Sequence, residues 1–319
     1  MVRPGFTEKG QARNQASRAR SVGRSSRSAI TAKKRIIFIH GLGPQPPKQQ
    51  YLRQWRDALR LSLWANIPHQ ASCMAYWADL RGQVNFRDPK VRAEVARLRK
   101  RLWRLEERFA YRPDKALRLL RARTVQFLFD LYCRLLRRGD PLLSQIERQW
   151  LNDYYLYVHS NAVQAKIRRR LEAELDAAAQ EGQRVAIVAH SMGTVIAYDA
   201  LAKNPEYVVD LLVTMGSPLG FTAVQIDLTK QAHPPFPPNV SQWLNVFDGI
   251  DVVTLPDQRL ANDFTNGKPR IADRMIRSNT DLDGKRDPHH WHGYLSCDEV
   301  GDAVSKFWIA PAPQPTTTP

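Results

Sequence analysis

Three stretches of the chain run through consecutive apolar, often β-branched residues, and each ends in a glycine-containing turn. They are RIIFIHGLG at 35–43, VAIVAHSMG at 185–193 and VVDLLVTMGSPLG at 208–220. Such continuous apolar runs are typical of strands buried on both faces, as in a parallel sheet. Helical spacing of apolar residues follows the first two runs, at 51–64 and 194–204. The alternation of strand and helix predicts a doubly wound, mostly parallel α/β sheet.

Shorter signals extend this pattern on either side of a different kind of sequence. ASCMAYWADL (71–80) and WLNVFDGIDVV (243–253) predict further strands, an irregular stretch runs to Pro288, and DEVGDAVSKFWI (298–309) predicts a terminal helix. Residues 88–180 contain almost no glycine and many Arg, Leu and Glu, with breaks near Pro113 and Gly139. This composition predicts several helices. We therefore expect an α/β domain at 34–84 and 182–309, interrupted by a basic helical insert at 85–181.

The net charge of +17 is distributed unevenly along the chain. Residues 1–35 carry 10 basic side chains and 1 acidic one, and residues 87–170 carry 22 and 9. The basicity therefore belongs to the N-terminal tail and the insert, since the remainder is slightly acidic. We expect disordered tails at 1–33 and 310–319, because both are rich in polar residues, Pro or Gly and have no apolar periodicity.

The composition also bounds the location and the partners. The apolar runs are far shorter than the 18 or so residues of a transmembrane helix, and three widely spaced cysteines suit a reducing compartment, so we expect a cytoplasmic protein. The stretch 115–138 places leucines at helical intervals among arginines. Such a helix can pack as a lid on the core or lie at the periphery of an anionic membrane. The sequence contains no motif for sequence-specific nucleic-acid binding.

The turn at Ser191 has the residues that a serine nucleophile requires. A sharp strand-to-helix turn lifts the hydroxyl above the edge of the sheet, and its geometry admits only small residues two before and two after the serine. Ala189 and Gly193 meet that demand, and the helical stretch TVIAYDAL follows directly. A serine presented in this way becomes a nucleophile when a base removes its proton.

Five short motifs occur in an order that resembles the α/β-hydrolase superfamily, in its lipase and esterase branch. They are HGLG (40–43), AHSMG (189–193), MGSPLG (215–220), DGIDVV (248–253) and HWHGYL (290–295). The resemblance covers roughly 34–84 and 182–309, and it departs from the family at Ala189, where glycine is usual. It implies the chain order nucleophile, acid, histidine.

The resemblance also suggests which residues would complete the site. It favours Asp251 as the acid, with Asp248 as the alternative, because Asp251 directly precedes the apolar pair Val252-Val253. Among the three histidines of DPHHWHGYLS it favours His292 as the base, with His290 as the second choice; His289 is the third member of that cluster. It places oxyanion donors at the backbone N–H groups of Met192 and Leu42.

We therefore expect a carboxylic ester hydrolase with a Ser-His-Asp triad, and no metal or cofactor. The substrate would be a small-molecule or lipid ester; carboxylesters, acylglycerols, phospholipids and thioesters are equally compatible with the sequence. The alternative is a noncatalytic protein of the same fold whose basic insert binds a membrane or an acidic partner. The sequence carries no signal for an oligomeric state.

Overall fold

Six parallel strands form one sheet in a computed structural model of the chain, with the order β2-β1-β3-β4-β5-β6. The strands are β1 (Lys34–Ile39), β2 (Ser72–Ala75), β3 (Arg184–His190), β4 (Val209–Met215), β5 (Val240–Asp248) and β6 (Ile271–Ile276). The structure describes residues 33–41, 43–109, 141–230, 235–254, 257–264, 271–278, 283–284 and 286–311. The parallel α/β class expected from the sequence is confirmed.

The helices of the described residues cover both faces of this sheet. They are α1 (Lys48–Arg60), α2 (Pro89–Phe109), α3 (Pro141–His159), α4 (Asn161–Gln180), α5 (Met192–Lys203), α6 (Thr222–Thr229), α7 (Trp291–Leu295) and α8 (Asp298–Ile309). Alternate residues of β1 point to opposite faces: Ile36 and Phe38 belong to the core formed with α1, α7 and α8, and Ile37 and Ile39 to the core formed with α3, α4 and α5. Both faces are apolar, which explains the unbroken apolar runs of the sequence.

Two elements were missed by the sequence patterns. Strand β6 lies at the edge of the sheet in a stretch that we expected to be irregular, and its residues IADRMI are mostly half-buried or exposed. An edge strand with one exposed side does not need a continuous apolar run. Helix α6, which follows Gly220, lies in a stretch for which the sequence patterns predict no element. The second strand is also shorter than expected, because a 3₁₀ turn at Ala78–Gln83 follows it.

The described parts of the expected insert consist mainly of the helices α2, α3 and α4, and α4 packs on the sheet. Helix α4 buries Ile167, Leu171, Leu175 and Ala178 in the core that it shares with β1 and β3. The range expected for the insert, 85–181, therefore includes a helix that packs as part of the α/β framework. The amphipathic stretch 115–138 lies outside the described residues, so its lid and membrane alternatives stay predictions.

Three polar contacts tie α2 and α3 to the framework. The guanidinium of Arg101 on α2 pairs with Asp227 on α6, with an Nη1–Oδ2 distance of 2.9 Å, and the Tyr154 hydroxyl on α3 donates to the same carboxylate at 2.7 Å. On the other side of α3, Arg81 donates to Asp153 at 2.6 Å. These contacts fix α3 across the carboxyl ends of the strands, where ligands of open α/β sheets bind.

Candidate active site

The turn between β3 and α5 places Ser191 at the carboxyl end of the strand. Its φ of 54° is unusual for a residue with a side chain, and such strained backbone persists where neighbouring contacts enforce it. The Ser191 N–H donates to the carbonyl of Met215 at 2.9 Å, and its own carbonyl accepts from the N–H and the hydroxyl of Thr194 at 2.9 and 2.7 Å. The conformation expected for a nucleophile turn is therefore held by hydrogen bonds on both sides.

Two glycines allow the backbone to approach this turn closely. A Cβ on Gly193 would lie 2.5 Å from the carbonyl oxygen of Ile39 and 2.7 Å from that of His40. A Cβ on Gly41 would lie 2.4 Å from the Ser191 Cβ. No side chain fits at either position without a backbone shift. Ala189, by contrast, is accommodated with its methyl fully buried, so the departure from glycine there is tolerated.

The histidine that contacts Ser191 is His289. Its Nε2 lies 2.9 Å from the Ser191 Oγ, and its Nδ1 lies 2.8 and 3.0 Å from the two carboxylate oxygens of Asp251. With Nδ1–H donated to the carboxylate, Nε2 is the acceptor that faces the hydroxyl. Ser191 and Asp251 have almost no exposed surface, and His289 is 5% exposed. A serine, a histidine and an aspartate thus form one buried hydrogen-bonded chain.

The expectation of His292 as the base, with His290 as its substitute, is not met by this geometry. His292 lies within α7, and its Nδ1 is buried without a hydrogen-bond partner among the described residues. His290 is the N-cap of the same helix, where its side chain accepts from the His292 N–H at 3.3 Å. Because α7 begins at Trp291, the loop just before it reaches Ser191 and the helix itself does not.

The backbone of His289 is held at two points. The His289 N–H donates to the Asp287 Oδ1 at 3.0 Å, and its carbonyl oxygen lies 2.8 Å from the Nε2 of His190. The Asp287 side chain thus accepts a hydrogen bond from the backbone two residues later, which is typical of a turn that begins at Asp. The pair Asp287-Pro288, directly before His289, is the signal in the sequence that marks this turn.

Asp251, rather than Asp248, lies against the histidine. Besides His289, its carboxylate accepts from the Val253 N–H at 2.9 Å and from the Tyr294 hydroxyl at 2.8 Å. Asp248 instead accepts from the N–H groups of Ile250 and Ser278, at 3.0 and 2.7 Å, and so closes the turn after β5. Burial and the charge of Asp251 raise the pKa of Tyr294 well above its ordinary value. Its hydroxyl therefore stays protonated as a donor.

One of the two expected oxyanion donors, Met192, lies in the described part of the chain. Met192 is the first residue of α5, where backbone N–H groups have no partner inside the helix. Leu42, the other expected donor, lies outside the described residues. The next N–H group, that of Gly43, donates to the Asp153 Oδ2 at 2.7 Å and is therefore occupied.

Asp153 is a residue of α3 that the sequence did not single out. Its carboxylate is fully buried between the Gly43 N–H and the guanidinium of Arg81. Burial raises the pKa of Asp153, while Arg81 and the Gly43 N–H oppose that shift by stabilising the charged form. Since Gly41 contacts Ser191 two residues earlier, Asp153 anchors the loop that borders the nucleophile.

Two further histidines are buried beside the site, and both are kept neutral. Burial lowers the pKa of His40 to about 3, and its Nε2 accepts from the Trp77 N–H at 3.1 Å, as a neutral ring can. Burial, and next the charge of His289, lower the pKa of His190 well below its ordinary value. His190 therefore supports the His289 backbone without adding a positive charge.

Comparisons with known proteins found no significant match. No family model matches it, and neither a curated protein nor a solved structure matches it significantly. Within the described part of the chain, no helix is long and apolar enough to cross a membrane. The same residues contain no cluster of three or more His, Cys, Asp or Glu side chains arranged to hold a metal ion.

Proposed function

We propose that the protein is a serine hydrolase that cleaves carboxylic esters through an acyl-enzyme on Ser191. The observation that carries this proposal is the buried chain from the Ser191 Oγ through His289 to Asp251, with contacts of 2.9 and 2.8 Å. The motif order in the sequence supports the same chemistry, with His289 in place of His292, which the resemblance favours.

The arrangement supplies each proton transfer of ester hydrolysis. The Ser191 oxygen attacks the carbonyl carbon while His289 Nε2 takes the hydroxyl proton, and Asp251 stabilises the imidazolium that forms. In this proposal the Met192 N–H stabilises the oxyanion of the tetrahedral intermediate. When the intermediate collapses, His289 returns the proton to the leaving alcohol. Water then attacks the acyl-enzyme by the same route, which frees the acid and restores Ser191.

The buried state of Ser191 adds a requirement to this proposal. The serine has no exposed surface, so an ester reaches its hydroxyl only after neighbouring residues move. Enzymes that close over their substrates commonly have such a step.

An active-site-directed fluorophosphonate tests the proposal directly. We expect the wild-type protein to be labelled, and Ser191→Ala to lose all labelling. Ser217→Ala is the matched control, because Ser217 is also a buried serine but its hydroxyl is bonded to Thr194, at 2.7 Å. It should be labelled as the wild type is. Circular dichroism confirms that each variant is folded.

Two results would overturn the proposal. One is equal labelling of Ser191→Ala and the wild type, and the other is a folded wild type that neither reacts with the probe nor hydrolyses any ester of a chain-length panel. The second result, combined with binding to anionic vesicles, would favour the noncatalytic alternative.

A further inference from the structure

A pocket of about 190 Å³ lies beside His289 and carries a specific set of side chains. One wall is the loop after β1, at Gly43 and Gln45; another is Gln149 of α3; His290 and Trp291 form a third. Ligand pockets for larger molecules are usually about 300 to 1,000 Å³, so this one suits a small group.

If the proposed function holds, the position of the pocket indicates which part of the ester it binds. His289 must reach the leaving oxygen within hydrogen-bond distance in order to protonate it. The pocket is lined by His289 but not by Ser191, so it extends from the base and not from the nucleophile. A group placed there is therefore on the alcohol side of the ester.

The side chains that line the pocket indicate which kind of alcohol it binds. Among the described residues that line the pocket, Asp287 supplies a carboxylate and no lysine or arginine is present. A leaving group with a negative charge would meet that carboxylate without a compensating cation. Amide and imidazole groups of Gln45, Gln149 and His290 surround the remaining space, and these groups bond well to hydroxyls.

Gln149 is the lining residue best placed to bind a ligand. Its amide makes no hydrogen bond to any residue that the structure describes, and it lies against the loop that borders Ser191. A Cβ on Gly43 would lie 3.1 Å from the Gln149 Oε1, so the glycine leaves room for the amide. Asp153, one helical turn further along α3, holds the Gly43 N–H at 2.7 Å.

We propose that this pocket binds the alcohol part of the ester, that the alcohol is small, uncharged and hydroxyl-bearing, and that Gln149 selects it. The amide offers both a donor and an acceptor to a polyol. An alkyl alcohol would leave the amide unpaired in the pocket, and sites built to bond a hydroxyl discriminate against substrates that lack one.

The test uses three esters that share one acyl chain: glycerol monobutyrate, n-propyl butyrate and the butyrate monoester of glycerol phosphate. We expect kcat/KM to be highest for glycerol monobutyrate, about tenfold or more above each of the others. Gln149→Met, which keeps the size of the side chain but not its amide, should lower kcat/KM for glycerol monobutyrate by about fivefold to tenfold. It should leave n-propyl butyrate nearly unchanged.

Gln183→Met is the matched control, because Gln183 bonds Arg35 at the opposite end of β3 and should change neither substrate. Gln149→Glu is a second variant of similar size, and it should further disfavour the phosphate ester.

The outcomes separate this inference from the function on which it rests. The pocket proposal is wrong if the wild type hydrolyses all three esters equally or prefers the phosphate ester. It is also wrong if both Gln149 variants lose activity on all three esters equally. In each of these cases the hydrolase proposal stands. If no ester is hydrolysed and the fluorophosphonate does not react, the hydrolase proposal itself fails.

Discussion

The two sides of Ser191 are held in place by different forces. On the side of β1 and β3 the turn is fixed by close backbone packing, since Gly41 and Gly193 bring main-chain atoms to distances at which no Cβ fits. On the side of the histidine loop, the position of His289 depends on hydrogen bonds that it donates to Asp287 and Asp251 and on one that its carbonyl accepts from His190. Packing of this kind is an all-or-none constraint, whereas a hydrogen-bonded loop depends on several contacts of about 1 kcal/mol each.

This difference determines which substitutions each side tolerates. A methyl group added on the packed side must displace backbone, while a lost hydrogen bond on the other side leaves most of the loop in place. The following predictions are ordered from the largest expected effect to the smallest.

Replacement of the histidine that touches Ser191 should have the largest effect. His289→Ala should lower kcat by on the order of 10⁴-fold or more, because the hydroxyl loses its proton acceptor. His292→Ala should stay within about tenfold of the wild type, since its ring makes no bond to Ser191 or Asp251 and a change of packing alone has modest effects. Steady-state kinetics on one activated ester measure both. A larger loss in His292→Ala than in His289→Ala would contradict the geometry.

Gly41→Ala should have the next largest effect, although it adds only a methyl group. The new Cβ would collide with Ser191, and a displacement of about 1 Å at a reacting atom can cost about 10² in rate. Gly82→Ala is the control, because a Cβ at Gly82 meets no atom within 4 Å. Fluorophosphonate labelling rates should fall for the first variant and not for the second. Equal rates would mean that the packing around Ser191 is looser than described.

Removal of the Asp153 carboxylate tests whether α3 positions the loop after β1. Asp153→Leu should lower kcat by about 10- to 100-fold with a smaller change in KM, since a misplaced oxyanion side affects the transition state most. Asp153→Asn keeps an acceptor for the Gly43 N–H and should recover much of this loss.

Asp227→Leu is the control variant, because it weakens the attachment of α2 and α3 at another place. It removes the carboxylate that Arg101 and Tyr154 share, away from that loop. It should lower the melting temperature but leave kcat nearly unchanged. If both Leu variants lower kcat equally, Asp153 has only a structural role.

Acid should destabilise the fold through the buried neutral histidines. The pKa of folded His40 is about 3, below its ordinary value of 6.5, so the folded state binds fewer protons between these values. The stability due to its neutral form is therefore complete above about pH 6.5 and is lost as the pH falls towards 3. Its contribution to the free energy of unfolding should fall by up to about 1.4 kcal/mol per pH unit.

Urea unfolding at pH 7, 6, 5 and 4 measures this slope, and His40→Gln should make it shallower. A slope that the substitution leaves unchanged would assign the effect to other groups.

The same contrast explains how much of the molecule could be predicted from the sequence. The parallel sheet and the turn at Ser191 were predictable, because burial on both faces demands continuous apolar runs and close packing demands Gly193. Asp251 was preferred over Asp248 on its place before Val252, and the structure puts it against the histidine.

The choice of histidine could not be made in that way. Three histidines within four positions have the same local pattern, and only the start of α7 at Trp291 decides which of them faces Ser191. Asp153 and Tyr294 were missed for a related reason. Their partners, Gly43 and Asp251, are 110 and 43 positions away along the chain. Strand β6 was missed because a half-exposed edge carries no continuous apolar signal.

The contact between Asp153 and Gly43 has a consequence for protein engineering. A designer who wished to shorten this chain would be tempted to excise the whole region between β2 and β3 as a removable module. Helix α3 would then be lost, and with it the anchor of the loop beside Ser191. Any minimal version of the protein must therefore keep α3 together with Arg81, or supply another buried acceptor for the Gly43 N–H.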